Sequence, residues 1–203
     1  TLAARNKLLA SMTEEVGSLV LRNNYLQSQA ISVIEQRAAE RLAEYQGLIR
    51  TLERGGYLNR AIEFLPADDE FLERRKQQLG LTRPEISVVL AYSKIWLSNH
   101  LLDSDLPDDR YFAAEVQRYF PAPTRKRYAR EIPRHRLKRE IVATATTNTL
   151  VNRMGPVFVT RAQEDTAADR AVMARAYTIA REVFAMRTLW VDIEALDNRV
   201  PAN

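Results

Sequence analysis

The chain contains no cysteine. That excludes a disulfide framework, a thiolate nucleophile and any thiolate-bound zinc or iron–sulfur centre. Histidine occurs only as His100 and His135, too few for a two-histidine zinc motif with a separate histidine base, so no metal is expected. Glycine is scarce, six residues, and scattered. Such glycines cannot form G-x-G-x-x-G, and no Walker-type loop is present, so no cofactor-binding residue is expected in this chain. No apolar run approaches the roughly 20 residues of a membrane helix. No signal peptide is visible, and a cytoplasmic location is expected.

What is present is a mixed, soluble composition, with 46% hydrophobic and 28% charged residues. The balance of 30 basic against 26 acidic residues leaves a net charge of +4. Spread over both signs, that charge does not by itself imply nucleic acid. A length of 203 residues suits one domain or two small ones, with a core large enough to need no covalent staple. The chain begins at Thr1 rather than Met and ends at Asn203, which suggests an excised piece of something larger.

Glycine and proline punctuate the chain at long intervals, and the gaps carry an apolar period near 3.6, so helices are expected almost throughout. Ser11 with Glu14 has the spacing of a capping box, and Asn23-Asn24 is expected to break the helix opened there. Ile31, Ile34, Ala38, Leu42, Tyr45, Ile49 and Leu52 then draw one stripe along a single long helix. Gly55-Gly56 closes it. A short helix through Leu58, Ile62 and Leu65 stops at Pro66. Asp68, Asp69 and Glu70 load the start of the next helix, where the macrodipole favours acids, and Gly80 ends it.

Thr82 and Glu85 form a second capping box, with Pro84 in the first turn. The helix they open is apolar nearly all round, with Ser87, Lys94 and Ser98 as its polar strip. It is the predicted central, most buried helix. Asp108 is the expected cap of a helix bearing Phe112, Val116, Tyr119 and Phe120, closed by Pro121 and Pro123. A short basic helix begins at Thr124, and a long one runs from about Arg134 to Met154, stopped by Gly155-Pro156. Val157 to Asp165 reads as helix, because a strand there would have no partner. The last long helix starts near Thr166 and Asp169 and runs to Asp197-Asn198. The fold class is all-α: an irregular multi-helix bundle, one domain over residues 1–203 with a largely buried central helix. A subdomain joint is conceivable near 103–123.

No catalytic constellation emerges. His100 reads as a histidine at a helix C-terminus with favourable dipole contact, and His135 as a surface residue. The one dense basic patch holds Arg125, Lys126, Arg127, Arg130, Arg134, Arg136, Lys138 and Arg139, with Tyr119, Phe120 and Tyr128 close in sequence. Phosphate contacts with base stacking would need such residues, so an anionic partner such as nucleic acid is the alternative reading. The preferred one is a charged contact surface. Asn148 and Asn152 lie four apart, on one helix face, and form a candidate buried polar pair that would have to be hydrogen-bonded. Trp96 and Trp190 fall at core spacing.

Several blocks resemble a known family, in order along nearly the whole chain. They are Arg5-Asn6-Lys7-Leu8-Leu9 with Met12-Thr13-Glu14-Glu15-Val16, Leu21-Arg22-Asn23-Asn24-Tyr25 with Gln27, and Glu63-Phe64-Leu65-Pro66. Next come Leu81-Thr82-Arg83-Pro84-Glu85 running to Leu90-Ala91-Tyr92-Ser93-Lys94, Ser104-Asp105-Leu106-Pro107-Asp108-Asp109 and Arg118-Tyr119-Phe120-Pro121. The last are Leu137-Lys138-Arg139-Glu140-Ile141, Val151-Asn152-Arg153-Met154-Gly155 and Glu194-Ala195-Leu196-Asp197-Asn198-Arg199-Val200-Pro201. Together they resemble the large bacterial NAD-specific glutamate dehydrogenases. Pro156 departs from that pattern and would sharpen the helix break.

The resemblance implies a long multidomain parent that oxidatively deaminates L-glutamate to 2-oxoglutarate and ammonium with NAD. It implies that the hydride-transfer site and the nucleotide fold precede this region. This chain would then be a helical module bracing the catalytic domain of its own parent chain, inactive alone, within a homo-oligomer. An effector site in the basic patch is a further, weaker reading. No catalytic residue of the family maps onto this chain.

Overall fold

The computed structural model describes residues 1–197 and Arg199. Among them there are ten α-helices and no strand. Helix α1, Leu2–Gln36, is capped by Thr1, whose Oγ1 accepts from the Ala4 N–H at 3.3 Å. It runs unbroken through both expected interruptions. Ser11 lies inside it, its hydroxyl donating back to the Leu8 carbonyl at 2.7 Å. Asn23 and Asn24 face solvent, where their side chains do not compete for backbone groups and their helix penalty is small.

The stripe from Ile31 to Leu52 is not one helix. The chain turns at 37–41 and continues as α2, Leu42–Arg54. Ala38 and Leu42 are buried on either side of that corner, so the apolar spacing survives while the axis changes direction. The end of α2 satisfies its carbonyls as a Schellman motif. Gly56 takes φ +73°, its N–H donates to Glu53 O, and Tyr57 N–H reaches back to Leu52 O at 3.0 Å.

The expected helix at 58–65 is a single turn. Asn59 Oδ1 accepts from the amides of Ala61 and Ile62, and the turn ends at Phe64, which takes a left-handed φ of 53°. Helix α3, Asp68–Lys76, stops before Gly80 because Gln78 adopts φ 56° and Leu79 N–H closes on Arg74 O. Gly80 has a different task. A Cβ there would lie 2.6 Å from both Ala38 Cβ and Ala39 N, so only glycine lets this segment cross the 37–41 corner.

Helix α4, Arg83–Asp103, opens on the expected Thr82–Glu85 capping box. Ile86, Val89, Leu90, Ser93, Trp96, Leu97 and Leu101 are buried along it. It packs against α1, α2, α7 and α9, most extensively against α7, Lys138–Met154. It is the centre of the fold, with one open strip. That strip is Ser87, Ala91, Ile95 and Asn99, while Lys94 and Ser98 are half-buried.

Two 3-10 turns come next, then α5, Ala113–Tyr119. Asp108 does not cap α5; Asp109 caps the second 3-10 turn, Arg110–Phe112, its Oδ1 accepting from Tyr111 N–H at 2.9 Å, and α5 continues directly from that turn. Leu106, Phe112 and Val116 from this stretch sit in the same buried cluster as α4. Helix α6 is Ala122–Arg127, and α7 begins at Lys138, four residues later than expected, because Ile132–Arg134 forms a 3-10 turn around Pro133. Gly155, φ +84°, ends α7 ahead of a buried Pro156.

Helix α8, Phe158–Thr166, is helical as its run suggested. The final long helix is two. Helix α9, Arg170–Val183, is capped by Asp169, and α10, Met186–Glu194, begins after a break at Ala185, φ 48°. The stop expected at Asn198 lies outside the described residues, as do Val200 and Pro201. No helix among the described residues is long and apolar enough to cross a membrane.

Gly80→Ala is expected to destabilise the fold by about 1–3 kcal/mol, the usual cost of overpacking. Gly47→Ala, an exposed position inside α2 with nothing within 4 Å, is expected to stabilise it by about 0.5–1 kcal/mol. Denaturant midpoints of the two variants measure both.

Candidate functional site

The basic segment is built from α6, the 3-10 turn and the first turn of α7. Its eight cations do not form one surface. Arg139 serves the end of α4: it donates to Leu102 O at 2.6 Å and Ser104 O at 2.9 Å, and pairs with Asp108. Arg125 lies 3.8 Å from Glu15 of α1, and both Glu15 oxygens accept from the Ala122 amide. Lys138 is half-buried. Lys126, Arg127, Arg130, Arg134 and Arg136 are exposed, with Arg127 over the Tyr128 ring at 5.5 Å. Phe120 is not a free stacking surface. It packs on the core and meets the His135 ring edge-on at 5.4 Å. The alternative of nucleic-acid binding gains no support from this arrangement.

The candidate pair on α7 is not a buried pair. Asn148 faces solvent, and Asn152 is half-buried. Polar burial on this helix falls instead on Thr146 and Thr147. Asn152 lines a cleft of about 400 Å³, while its Oδ1 is itself buried without a partner. That cleft is walled by α1, the 37–41 corner, the end of α7 and α10. Trp190 belongs to the same wall, and the Arg153 guanidinium lies over its ring at 4.5 Å.

Neither histidine sits in a constellation. His100 Nδ1 bonds to Trp96 O at 2.7 Å, and its ring meets Trp96 edge-on. His135 Nδ1 accepts from Leu137 N–H at 3.2 Å. Burial pushes the Lys94 ammonium pKa down to about 8.

Two arginine–carboxylate networks are the main features that sequence reasoning missed. In one, Glu115 of α5 accepts from Arg118, from Arg181 of α9 at 2.5 Å, and from Arg187 of α10 at 3.0 Å. Glu182 takes the second contacts of Arg181 and Arg187. Arg181 is 3% exposed. Its signal was available: it continues the Ala174, Tyr177, Thr178 stripe that α9 buries. In the other, Glu194 of α10 accepts from Arg153 of α7 at 2.5 Å and Arg22 of α1 at 2.9 Å. Tyr25 donates to Asp197 nearby, a bond that pushes the phenol up to about 12. These contacts tie down α10, which has no buried residue of its own.

A buried apolar centre and rim ion pairs hold this helical module together. Residues 78–203 match the family model described as glutamate dehydrogenase, C-terminal, and residues 1–34 match that of the bacterial NAD-glutamate dehydrogenase catalytic domain. The chain belongs to the glutamate dehydrogenase C-terminal family. It is 49% identical over 198 residues to the NAD-specific glutamate dehydrogenase of Halomonas elongata, covering 98% of this chain and 12% of that protein. The enzyme of the same name from Pseudomonas aeruginosa is 49% identical over 199 residues, covering the same shares. That of Mycobacterium tuberculosis is 36% identical over 193 residues, 94% of this chain and 12% of its own length. The chain thus spans about an eighth of these relatives, 12% in each case.

Burial pushes Glu85, Glu182 and Glu194 up, but hydrogen bonds from their arginines outweigh it and hold all three below the ordinary glutamate value of 4.5. Gln46, Arg60 and Arg50 hold Asp68 far below its usual range. Depressed carboxylates stabilise the fold fully above their unfolded values and lose that contribution as pH falls through the folded ones. The melting temperature is expected to be flat from pH 7 to about 5 and to fall steadily below pH 4.5. A thermal melt series that rises on acidification would contradict these ion pairs.

Proposed function

We infer that this chain is the helical brace of an NAD-dependent glutamate dehydrogenase, which in its full length oxidises L-glutamate to 2-oxoglutarate and ammonium in the cytoplasm. The observation that carries the reading is the double membership of α1. Its sequence matches the catalytic-domain model over residues 1–34, while its last turns bury Ala30 and Ile34 in the core of the C-terminal region. The helix also keeps an open apolar line: Leu2, Leu9, Val16 and Val20 are exposed at spacings of seven and four. The rest of the catalytic domain, on the N-terminal side of Thr1 in the parent, is the surface that covers this line. Residues 1–203 act as one helical domain, and the exposed cations Lys126, Arg127, Arg130, Arg134 and Arg136 serve contacts within the assembled homo-oligomer.

The residues here do not fit the dinucleotide itself. A Rossmann cradle needs a strand leading into a glycine-rich turn and a helix, and among the described residues there is no strand. In this reading NAD is held by the remainder of the parent. In the full-length protein, Leu9→Lys with Val16→Lys and Val20→Lys is expected to cut glutamate oxidation at least tenfold. A single Lys at exposed Ile179 of α9 is expected to leave it unchanged. The 203-residue chain alone is expected to neither turn over glutamate nor bind NAD(H) by calorimetry. Full activity of the triple variant, or stoichiometric NAD binding by the chain alone, would overturn the reading.

A further inference from the structure

The cleft beside α1 carries a cation that nothing in the fold uses. Four arginines border it and the adjoining cleft of about 270 Å³. Three are committed: Arg37 to Glu40 at 3.8 Å, Arg153 to Glu194 at 2.5 Å, and Arg161 to Glu44 at 3.3 Å. Arg41 is different. It lines both clefts and is half-buried. Among the described residues it has neither a carboxylate in ion-pair range nor a side-chain hydrogen bond. It is also the N-cap residue of α2, which its side chain does not cap, so the positive end of that helix adds to the same potential.

A partly desolvated charge without a partner is costly, and a bound anion relieves that cost. Much of the wall is apolar, with Val33, Ile34, Val157 and the Trp190 ring. The one acid in this neighbourhood without a partner arginine among the described residues, Asp165, lines only the outer cleft, which leaves the inner end cationic. The volume of about 400 Å³ lies within the range of small-ligand pockets.

We propose that this cleft binds a small carboxylate with an apolar body, its carboxylate on Arg41 and its body against the Val33, Ile34 and Trp190 wall. The site is separate from the open line of α1, so it stands whether or not that line meets the catalytic domain.

Phenylacetate is a suitable probe, with phenylacetamide lacking the charge. Hydrogen–deuterium exchange of the full-length protein localises binding away from any substrate site. Phenylacetate is expected to slow exchange saturably in segments 29–45, 150–157 and 186–193, and phenylacetamide to protect nothing. Arg41→Gln is expected to raise the half-saturating concentration at least tenfold, and Arg41→Lys less. Equal protection by phenylacetamide, an unchanged midpoint in Arg41→Gln, or no protection of these segments in the unmodified protein would overturn the proposal. The last outcome does not need the variants to fold, and none of these readings depends on glutamate turnover.

Discussion

The packing of α4 on α7 is the constraint on which the other elements depend. Both helices bury residues on several sides: Leu97 and Leu101 on one, Val142 and Leu150 on the other, are each 1% exposed or less. An α-helix covered from several directions keeps only a narrow free strip, which is why α4 reads as apolar nearly all round. Every helix of substance lays apolar residues against this pair or against a helix that does, α10 with the half-buried Trp190. Hydrophobic burial of this kind is non-directional. It fixes that the helices meet and leaves their rotation at the rim to other forces.

Those forces are arginine–carboxylate bonds. Glu115 gathers arginines from α5, α9 and α10, and Glu194 gathers them from α1 and α7. Exposed ion pairs contribute little. These carboxylates are 12% and 10% exposed in their side chains, so their bonds are geometric restraints that solvent screens weakly. They set the orientation of α10, whose apolar burial alone is too small to hold it. Beside the α1 cleft, Glu194 engages Arg153, while Arg37 and Arg161 pair with Glu40 and Glu44.

The fold class and the centre were legible because their signals are local and repeated. The Thr82–Glu85 box, Gly56 and Gly155 all behave as their chemistry predicts. The missed boundaries share one cause. Phe64, Gln78, Ala167 and Ala185 all adopt left-handed backbone without being glycine, and tertiary packing imposes that conformation against its local cost. No residue-type signal marks such a stop, so Gly80 reads as a terminator when its real role is a close crossing. Asn23-Asn24 misleads in the opposite direction, a weak breaker overridden by a long helix. On the site, the basic segment is visible as composition, but its division into structural cations and exposed ones depends on partners more than a hundred residues apart in the case of Glu15 and Ala122. Arg181 stays hidden because a charge on an apolar stripe looks like a stripe defect until its carboxylates are seen.

Taken together, a helix that reads as catalytic-domain sequence is anchored at its end by a core it does not otherwise belong to. Anchoring of that kind transmits stability only if the core and the helix end open together. Hydrogen exchange in the full-length protein with Leu150→Ala tests this directly, since Leu150 is fully buried in α7 and does not touch α1's open line. The account predicts that exchange in α4, α7 and residues 30–36 of α1 accelerates together, by roughly 30-fold or more, the equivalent of about 2 kcal/mol for a lost leucine. Acceleration confined to α7, with the end of α1 unchanged, would contradict it.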